Sequence, residues 1–427
     1  MDGGRIQVTV QSLHSFLEGR PAVAHTATPP ALDHRGPVTG RERALAPDLI
    51  RGAMLLLIAL ANAANFAFAG APGVNGSPAG LERVFNLLKL TLVDARAYPV
   101  FAVMFGYGLV QLARRQRNSG ASVGAVRSIL LKRHLWMIGF GLVHATLLYF
   151  GDFLGAYGIV GTACTLLLLN RGDKFHRIIV GIWALQLVYV VVVGVLALMS
   201  ALNSSGPAAT ITNSPNPSLA ADSWGSALVD RLHEYPAHTA FVTGLIVVVW
   251  LGMWAARRQI LEHPEAHKTL LTRVAVVCLS VTILGGLPLG LVGAGWLHVD
   301  EAAVGSFEFL AQISGQFGGP GYVALFGLVV AKLLKTRRPD QLGTPLTAIS
   351  ALGQRSMSGY LFQSICWTLL LAPYGLHLGA RSGHPAFTAA ACALAVWTIS
   401  VLAAYTMKRH TYRGPAETLL RRLVYGR

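Results

Sequence analysis

The stretch RHLWMIGFGLVHATLLYFGDFLGAYGIVGTACTLLLLN, residues 133–170, is two apolar runs joined by a two-residue hinge, Gly151-Asp152. Each run is about long enough to cross ~30 Å of hydrocarbon as a helix, which puts the hinge at one membrane face and His144 ~10 Å deeper. An ionisable side chain at that depth is expensive and needs a reason. Two readings are open. In one, Asp152 caps the second helix and His144 bonds a neighbouring backbone group. In the other, the pair is a membrane-embedded general acid/base centre.

The rest of the chain has the same character. Of 427 residues 53% are hydrophobic and only 13% charged, far from the one-quarter charged fraction of soluble domains. The composition excludes an ordinary soluble enzyme and implies an all-α, polytopic integral membrane protein in contact with the lipid bilayer. The net charge of +16 sits in short clusters between apolar runs with no nucleic-acid-binding module beside it. Orientation in the bilayer is therefore its expected role, and nucleic acid is not an expected partner. Cys164, Cys278, Cys366 and Cys392 all fall inside apolar runs without metal-ligand spacing, and read as core packing. No metal site is expected.

Residues 1–42, rich in Pro, Ala, Gly, Arg and His, read as a disordered cytoplasmic tail. An amino-terminal bundle of five spans follows over 43–201, with spans at 49–69, 94–113, the hairpin of 133–170, and 178–201. An amphipathic segment over 81–93 precedes the second, and Pro99 suits its first turn. Residues 202–237, polar and rich in Asn, Ser and Pro, read as a flexible external loop. A carboxy-terminal region over 238–427 supplies spans at 238–256, 274–295, 309–334, 346–372 and 385–407. Gly285-Gly286-Leu287-Pro288 and Gly318-Gly319-Pro320-Gly321 lie inside two of these and are expected to break them. With both termini cytoplasmic, the inner segments hold 29 of the 35 Lys and Arg and the outer loops hold 5, Arg355 lying within a span. That alternation predicts about ten transmembrane helices in a multi-pass protein of the cell inner membrane.

Candidate chemistry gathers at the outer ends of early spans, where Asp94, Arg96, His144 and Asp152 fall. A carboxylate beside an imidazole orients it as a base, so these four are the expected catalytic group, with Arg96, His144 and Asp152 expected to converge on one water-accessible cavity. The alternative for Asp94 and Arg96 is a pair that caps the second span. Asp48 and Arg51 at the start of the first span, Tyr98, and the polar stripe Arg355, Ser356, Tyr360 and Gln363 are candidate substrate-binding residues; capping and anchoring compete as the role of Asp48 and Arg51. Gly106-Tyr107-Gly108 reads as close helix packing. The basic residues Arg114, Arg115 and Arg133 suit the phosphates of a donor such as coenzyme A, or set topology and touch anionic lipid.

Several of these stretches together resemble the YeiB family of bacterial membrane proteins, whose carboxy-terminal region is a domain of unknown function. They are Asp48-Leu-Ile-Arg51-Gly52, Asp94-Ala-Arg96-Ala-Tyr98-Pro99 running to Gly108, Gly141-Leu-Val-His144 with Gly151-Asp152, the stripe from Arg355 to Ser364, and Gly414-Pro415-Ala416-Glu417 with Arg421-Arg422. That family is in turn similar to transmembrane acyltransferases, among them the heparan-alpha-glucosaminide N-acetyltransferases, which share the Asp-x-x-Arg-Gly element. The resemblance implies transfer of an acyl group from cytoplasmic acyl-CoA, a co-substrate with no bound cofactor, to an external hydroxyl or amine. Those acetyltransferases carry a catalytic His shortly after the first span, whereas residues 66–93 contain none. Acyl transfer in this chain would rest on His144 instead. A small-molecule transporter or exporter is the alternative, since broken helices and buried charge serve transport equally well. Substrate identity and oligomeric state are not legible in the chain.

Overall fold

A computed structural model describes residues 45–336 and 343–426; the tail read over 1–42 lies outside them. The described chain is almost wholly helical. Numbering helices of eight residues or more, α1 spans Leu45–Ala67, α2 Leu81–Leu88, α3 Ala97–Asn118, α4 Val123–Leu147, α5 Leu154–Ala163 and α6 Asp173–Leu202. Then come α7 Trp224–Thr243, α8 Ile246–Arg257, α9 Lys268–Gly293, α10 Glu301–Gly315, α11 Gly318–Thr336, α12 Thr344–Gly353, α13 Ser356–Leu370, α14 Pro385–Arg409 and α15 Pro415–Tyr425. Helices α2 and α5 each run on into a π-helical turn, Lys89–Val93 and Cys164–Leu168.

Among the described residues five helices are long and apolar enough to cross a membrane on their own: α1, α6, α9, α11 and α14. The pair α7–α8, bent by 44° where Gly244 and Leu245 interrupt it, makes a sixth. The remaining expected spans are helical but shorter or more polar, so the number ten stands on charge alternation and not on helix length. The exposed apolar surface is clearest on α6, where Val188, Val191, Val192, Val195 and Leu196 are all exposed. A face so apolar in a folded chain needs a hydrocarbon solvent.

Three expected details change. The span expected over 309–334 is α10 and α11, broken at Gln316-Phe317 beside the predicted glycine run; Ser314 lies against Gly285 and Gly321 against Cys278, so both halves continue one line antiparallel to α9. Pro288, by contrast, lies inside α9 without ending it, and Gly285 and Gly286 instead make room for Ser314 and Arg96. The span expected over 346–372 is α12 and α13, which meet α1 in opposite senses. Ile349 and Gly353 descend along Gly52 and Asp48, and Gly359 returns to Leu55.

The stretch 202–237 is also more ordered than a free loop. Its last part is already helix α7, and Ser214–Pro215 pairs antiparallel with Gly70–Ala71. Asn213 clamps this ribbon, accepting from Gly73 N and Val74 N at 2.8 and 3.1 Å and donating to Val74 O at 2.8 Å. The bundle itself closes through small residues, as membrane helices do without a hydrophobic drive between them. A Cβ on Gly106 of α3 would fall 2.0 Å from Val249 O of α8, and one on Gly252 would fall 2.0 Å from Val103 O.

Candidate functional site

The hairpin α4–α5 builds the centre. A Cβ on Gly141 would sit 2.1 Å from Gly155 N and 2.4 Å from Asp152 Oδ2, so only glycine at 141 lets the two helices close with the carboxylate between them. His144 stands one turn further along α4, on the same face. Asp152 then does two things at once. Its Oδ2 accepts from Gly155 N at 2.6 Å, capping the first turn of α5, and its Oδ1 lies 2.9 Å from His144 Nδ1. Asp152 thus caps α5 and also holds the ring, so His144 takes two side-chain partners and not the neighbouring backbone group of the first reading.

On the other side of the ring, His144 Nε2 is 2.8 Å from Ser364 Oγ on α13. With Asp152 as a carboxylate, which can only accept, the imidazole proton would sit on Nδ1 and Nε2 would accept from the serine hydroxyl. Asp152, His144 and Ser364 form a carboxylate, imidazole, hydroxyl relay with the connectivity of a nucleophilic triad. His144 is 2% exposed and the other two are 0%, so water does not compete for these bonds. Ser364 lay within the polar stripe quoted above, yet nothing local separates it from Ser356 or Ser358. The signal is its helical spacing of four from Tyr360, which puts both on the face toward α4.

Tyr360 links this relay to a large cavity that reaches into the bundle. Its ring centroid is 5.0 Å from that of His144, its hydroxyl donates to Gly151 O at 3.2 Å, and it also lines the cavity. The cavity, about 1060 Å³, is basic at one end, where Arg51, Arg114, Arg115, Arg133, Arg355 and Lys408 line it. Toward Tyr360 the lining becomes aromatic: Tyr98, Phe101, Phe105, Phe153 and Tyr157. Phe105 stacks on Tyr157 at 5.1 Å and Tyr98 on Phe153 at 6.0 Å, giving that end a rigid apolar wall.

Acidic residues hold the basic end in shape. Asp48 pairs with Arg51 at 3.5 Å. Glu262, in the turns between α8 and α9, takes hydrogen bonds from Arg114 Nη2 at 2.6 Å, Gln111 Nε2 at 2.9 Å and the Tyr107 hydroxyl. Burial nevertheless pushes its carboxyl up to about 7, even with Arg114 beside it. Glu417 of α15 accepts from Met357 N at 2.8 Å and Ser358 N at 3.2 Å, capping α13 across the chain. Arg355 donates to Ala351 O at 3.0 Å and to Tyr412 O, which fixes the break between α12 and α13. Ser356 lines the cavity beside it.

Not every expected residue joins. Asp94 is bound by Lys89 at 2.7 and 2.8 Å, and Arg96 spends its fork on the carbonyls of Asp94 and, at 3.0 Å, Thr282. Arg96 is packed into α9 and α11, where Gly286 and Gly318 make room for it. The expected convergence of Arg96 with His144 and Asp152 is thus corrected, and Asp94 stays with it: the intervening Ala95 adopts a left-handed φ of 60° and Arg96 serves the junction with α9. Tyr98, two residues on, does reach the cavity, its hydroxyl accepting from Gln312 at 2.8 Å. Gln363 does not line it and donates instead to Leu55 O at 3.2 Å. Among the described residues no group of three or more His, Cys, Asp or Glu is placed to hold a metal ion.

Fold and site together define a polytopic helical membrane protein with an acid-base relay buried beside a basic-to-aromatic cavity. Comparison with known proteins agrees with the residue pattern. Residues 255–427 match the family described as "Protein of unknown function (DUF418)". The chain is 26% identical to the uncharacterized protein YxaH of Bacillus subtilis (strain 168), over 91% of this chain and 96% of that one. It is 24% identical to the uncharacterized protein YeiB of Escherichia coli (strain K12), over 90% and 96%. The similarity to both relatives runs along nearly the whole chain, and the family match covers its carboxy-terminal part.

Proposed function

We propose that this protein is a membrane acyltransferase that takes an acyl group from acyl-CoA in the basic cavity and passes it to a hydroxyl or amine arriving from the opposite face. The observation that carries the reading is Tyr360, which touches both the cavity and the His144 ring. Anionic phosphates suit the Arg114, Arg115 and Arg133 end, since guanidinium groups bind phosphate bidentately. An acyl thioester suits the aromatic end, which is shaped for an apolar chain rather than for water. The positive-inside rule favours a cytoplasmic basic end, the side where acyl-CoA is found, and supports a cell inner membrane as the location. His144, held in one tautomer by Asp152, is the base that removes the acceptor's proton, worth ~10²–10⁴-fold in rate.

The broken spans at Gln316-Phe317 and Gln354-Arg355 supply the competing reading, a solute carrier. Proteoliposomes loaded with acyl-labelled acetyl-CoA on the basic side, with sugars and amines outside, separate the two. Coenzyme A release that depends on both acceptor and His144 is expected. Solute flux without donor consumption would overturn the proposal.

A further inference from the structure

Both ring nitrogens of His144 are occupied in this structure, Nδ1 by Asp152 at 2.9 Å and Nε2 by Ser364 at 2.8 Å. A proton from any acceptor therefore reaches Nε2 only through the Ser364 hydroxyl or by displacing it. We propose that Ser364 is the nucleophile of the acyl transfer and carries the acyl group as an ester between donor and acceptor. This rests on the acyltransferase reading above and replaces direct attack with two displacements.

Position on α13 favours the role. Tyr360, one turn before Ser364, forms the inner wall of the basic cavity. Thr368, one turn after it, lies beside the end of α4, its hydroxyl donating to Ser364 O at 3.0 Å and to Leu148 O at 3.5 Å. Ser364 thus stands between the wall of the donor chamber and the end of α4, and an acyl group fixed on it would be held for an acceptor that arrives after the thioester has left. The Tyr360 ring must swing aside to admit the acyl carbon, and this also shields the ester from water between the two steps.

The chemistry balances. In the first step the Ser364 Oγ–H proton passes to His144 Nε2 as Oγ bonds the thioester carbonyl carbon. The carbon–sulfur bond breaks, and the leaving thiolate takes that proton to become coenzyme A thiol. In the second step the acceptor's oxygen or nitrogen bonds the ester carbonyl and gives its proton to Nε2. The bond from carbon to Oγ breaks and Oγ recovers the proton. Asp152 stays ionised and stabilises the imidazolium in both steps.

The test uses the full-length protein in detergent with acyl-labelled acetyl-CoA and palmitoyl-CoA and no acceptor. A burst of coenzyme A release of about one per chain is expected, with the label on the peptide containing Ser364. Ser364→Ala should lose burst and label. Ser364→Cys should keep the burst but convert the bond to a thioester cleaved by neutral hydroxylamine, a change that a merely structural serine would not give. A burst and acceptor-dependent turnover surviving in a folded Ser364→Ala would overturn the nucleophile and leave the acyltransferase reading standing. No coenzyme A release from the unmodified protein, with or without acceptor, would overturn both.

Discussion

Replacing Asp152 with asparagine tests the relay at the atom that organises it. The carboxylate accepts two hydrogen bonds, from Gly155 N at 2.6 Å and from His144 Nδ1 at 2.9 Å. An amide has one acceptor oxygen. If that oxygen keeps the cap on α5, its NH₂ group faces Nδ1, and the ring can satisfy it only by moving its proton to Nε2. Nε2 then donates to Ser364 instead of accepting from it, so the hydroxyl loses its base although every heavy atom stays in place. In hydrolases built on this connectivity the same change removes ~10⁴ of kcat, or ~5 kcal/mol of transition-state stabilisation at 1.36 kcal/mol per tenfold. The structural loss is smaller. One charge-assisted hydrogen bond is worth ~1.5–3 kcal/mol, which lowers the melting temperature by a few degrees in a chain of this size.

The experiment reads acceptor-dependent coenzyme A release by Asp152→Asn in detergent, its melting temperature, and the ¹⁵N shifts of histidine-labelled protein. The expected result is a loss of turnover of ~10³-fold or more with the fold retained and the His144 tautomer reversed. Wild-type turnover in Asp152→Asn, or an unchanged tautomer, would refute the relay and return Asp152 to a capping role alone.

Gly141→Ala should destabilise by ~1–3 kcal/mol through overpacking and also reduce turnover, because the new methyl falls 2.4 Å from Asp152 Oδ2; thermal melts and coenzyme A release check both. Reporters fused at Asn118 and after Arg427 should lie on one side of the membrane and a reporter at Gly206 on the other, by protease or alkaline phosphatase activity. Glu262 binds its proton up to about pH 7 in the folded state and only to about 4.5 in a free carboxyl. Its contribution therefore makes stability fall as pH rises from about 4.5 to about 7, and Glu262→Gln should flatten that part of the melting profile. Combined substitution of Arg114 and Arg133 by Gln should raise the KM for acyl-CoA at least tenfold with kcat little changed, measured by coenzyme A release, because these groups hold the donor's phosphates and touch no reacting atom.

What was legible followed from local sequence. Apolar run length located the helices, and Gly151-Asp152 marked the hinge, because a carboxylate eight residues from a buried imidazole across a tight helical turn has few other places to go. The basic residues Arg114, Arg115 and Arg133 come from two helices, yet their shared depth was readable from charge alternation, and the cavity joins them. What was not legible depended on contacts between distant segments. Ser364 is 220 residues from His144, and no period in α13 says which neighbour its polar face meets. Arg96 misled for the same reason: its sequence depth matches that of His144, but depth fixes only one coordinate, and the choice of face belongs to Gly286 and Gly318, nearly 200 residues or more away. Helix breaks were legible where glycine clusters, at 318–321, and illegible at Gln354-Arg355, where the cause is Glu417 and Tyr412 reaching in from the carboxy-terminal end.

The way these bonds are filled also argues for chemistry over carriage. A carrier's buried ionisable group must offer an open lone pair or proton to an ion or solute, and then trade it as the bundle rocks. Here each Asp152 oxygen has a partner, each His144 nitrogen has one, and the Tyr360 hydroxyl is tied to Gly151 O. Nothing in the set is left to coordinate a passing solute without first breaking a bond in a buried site, a loss of ~1–3 kcal/mol per orphaned group. Proton exchange between Ser364 and His144 needs no such loss, since it moves a hydrogen along a contact already 2.8 Å long. A relay closed to solutes and open to a proton is suited to activating a hydroxyl, and the cavity that ends against Tyr360 brings an amphiphilic anion to its edge.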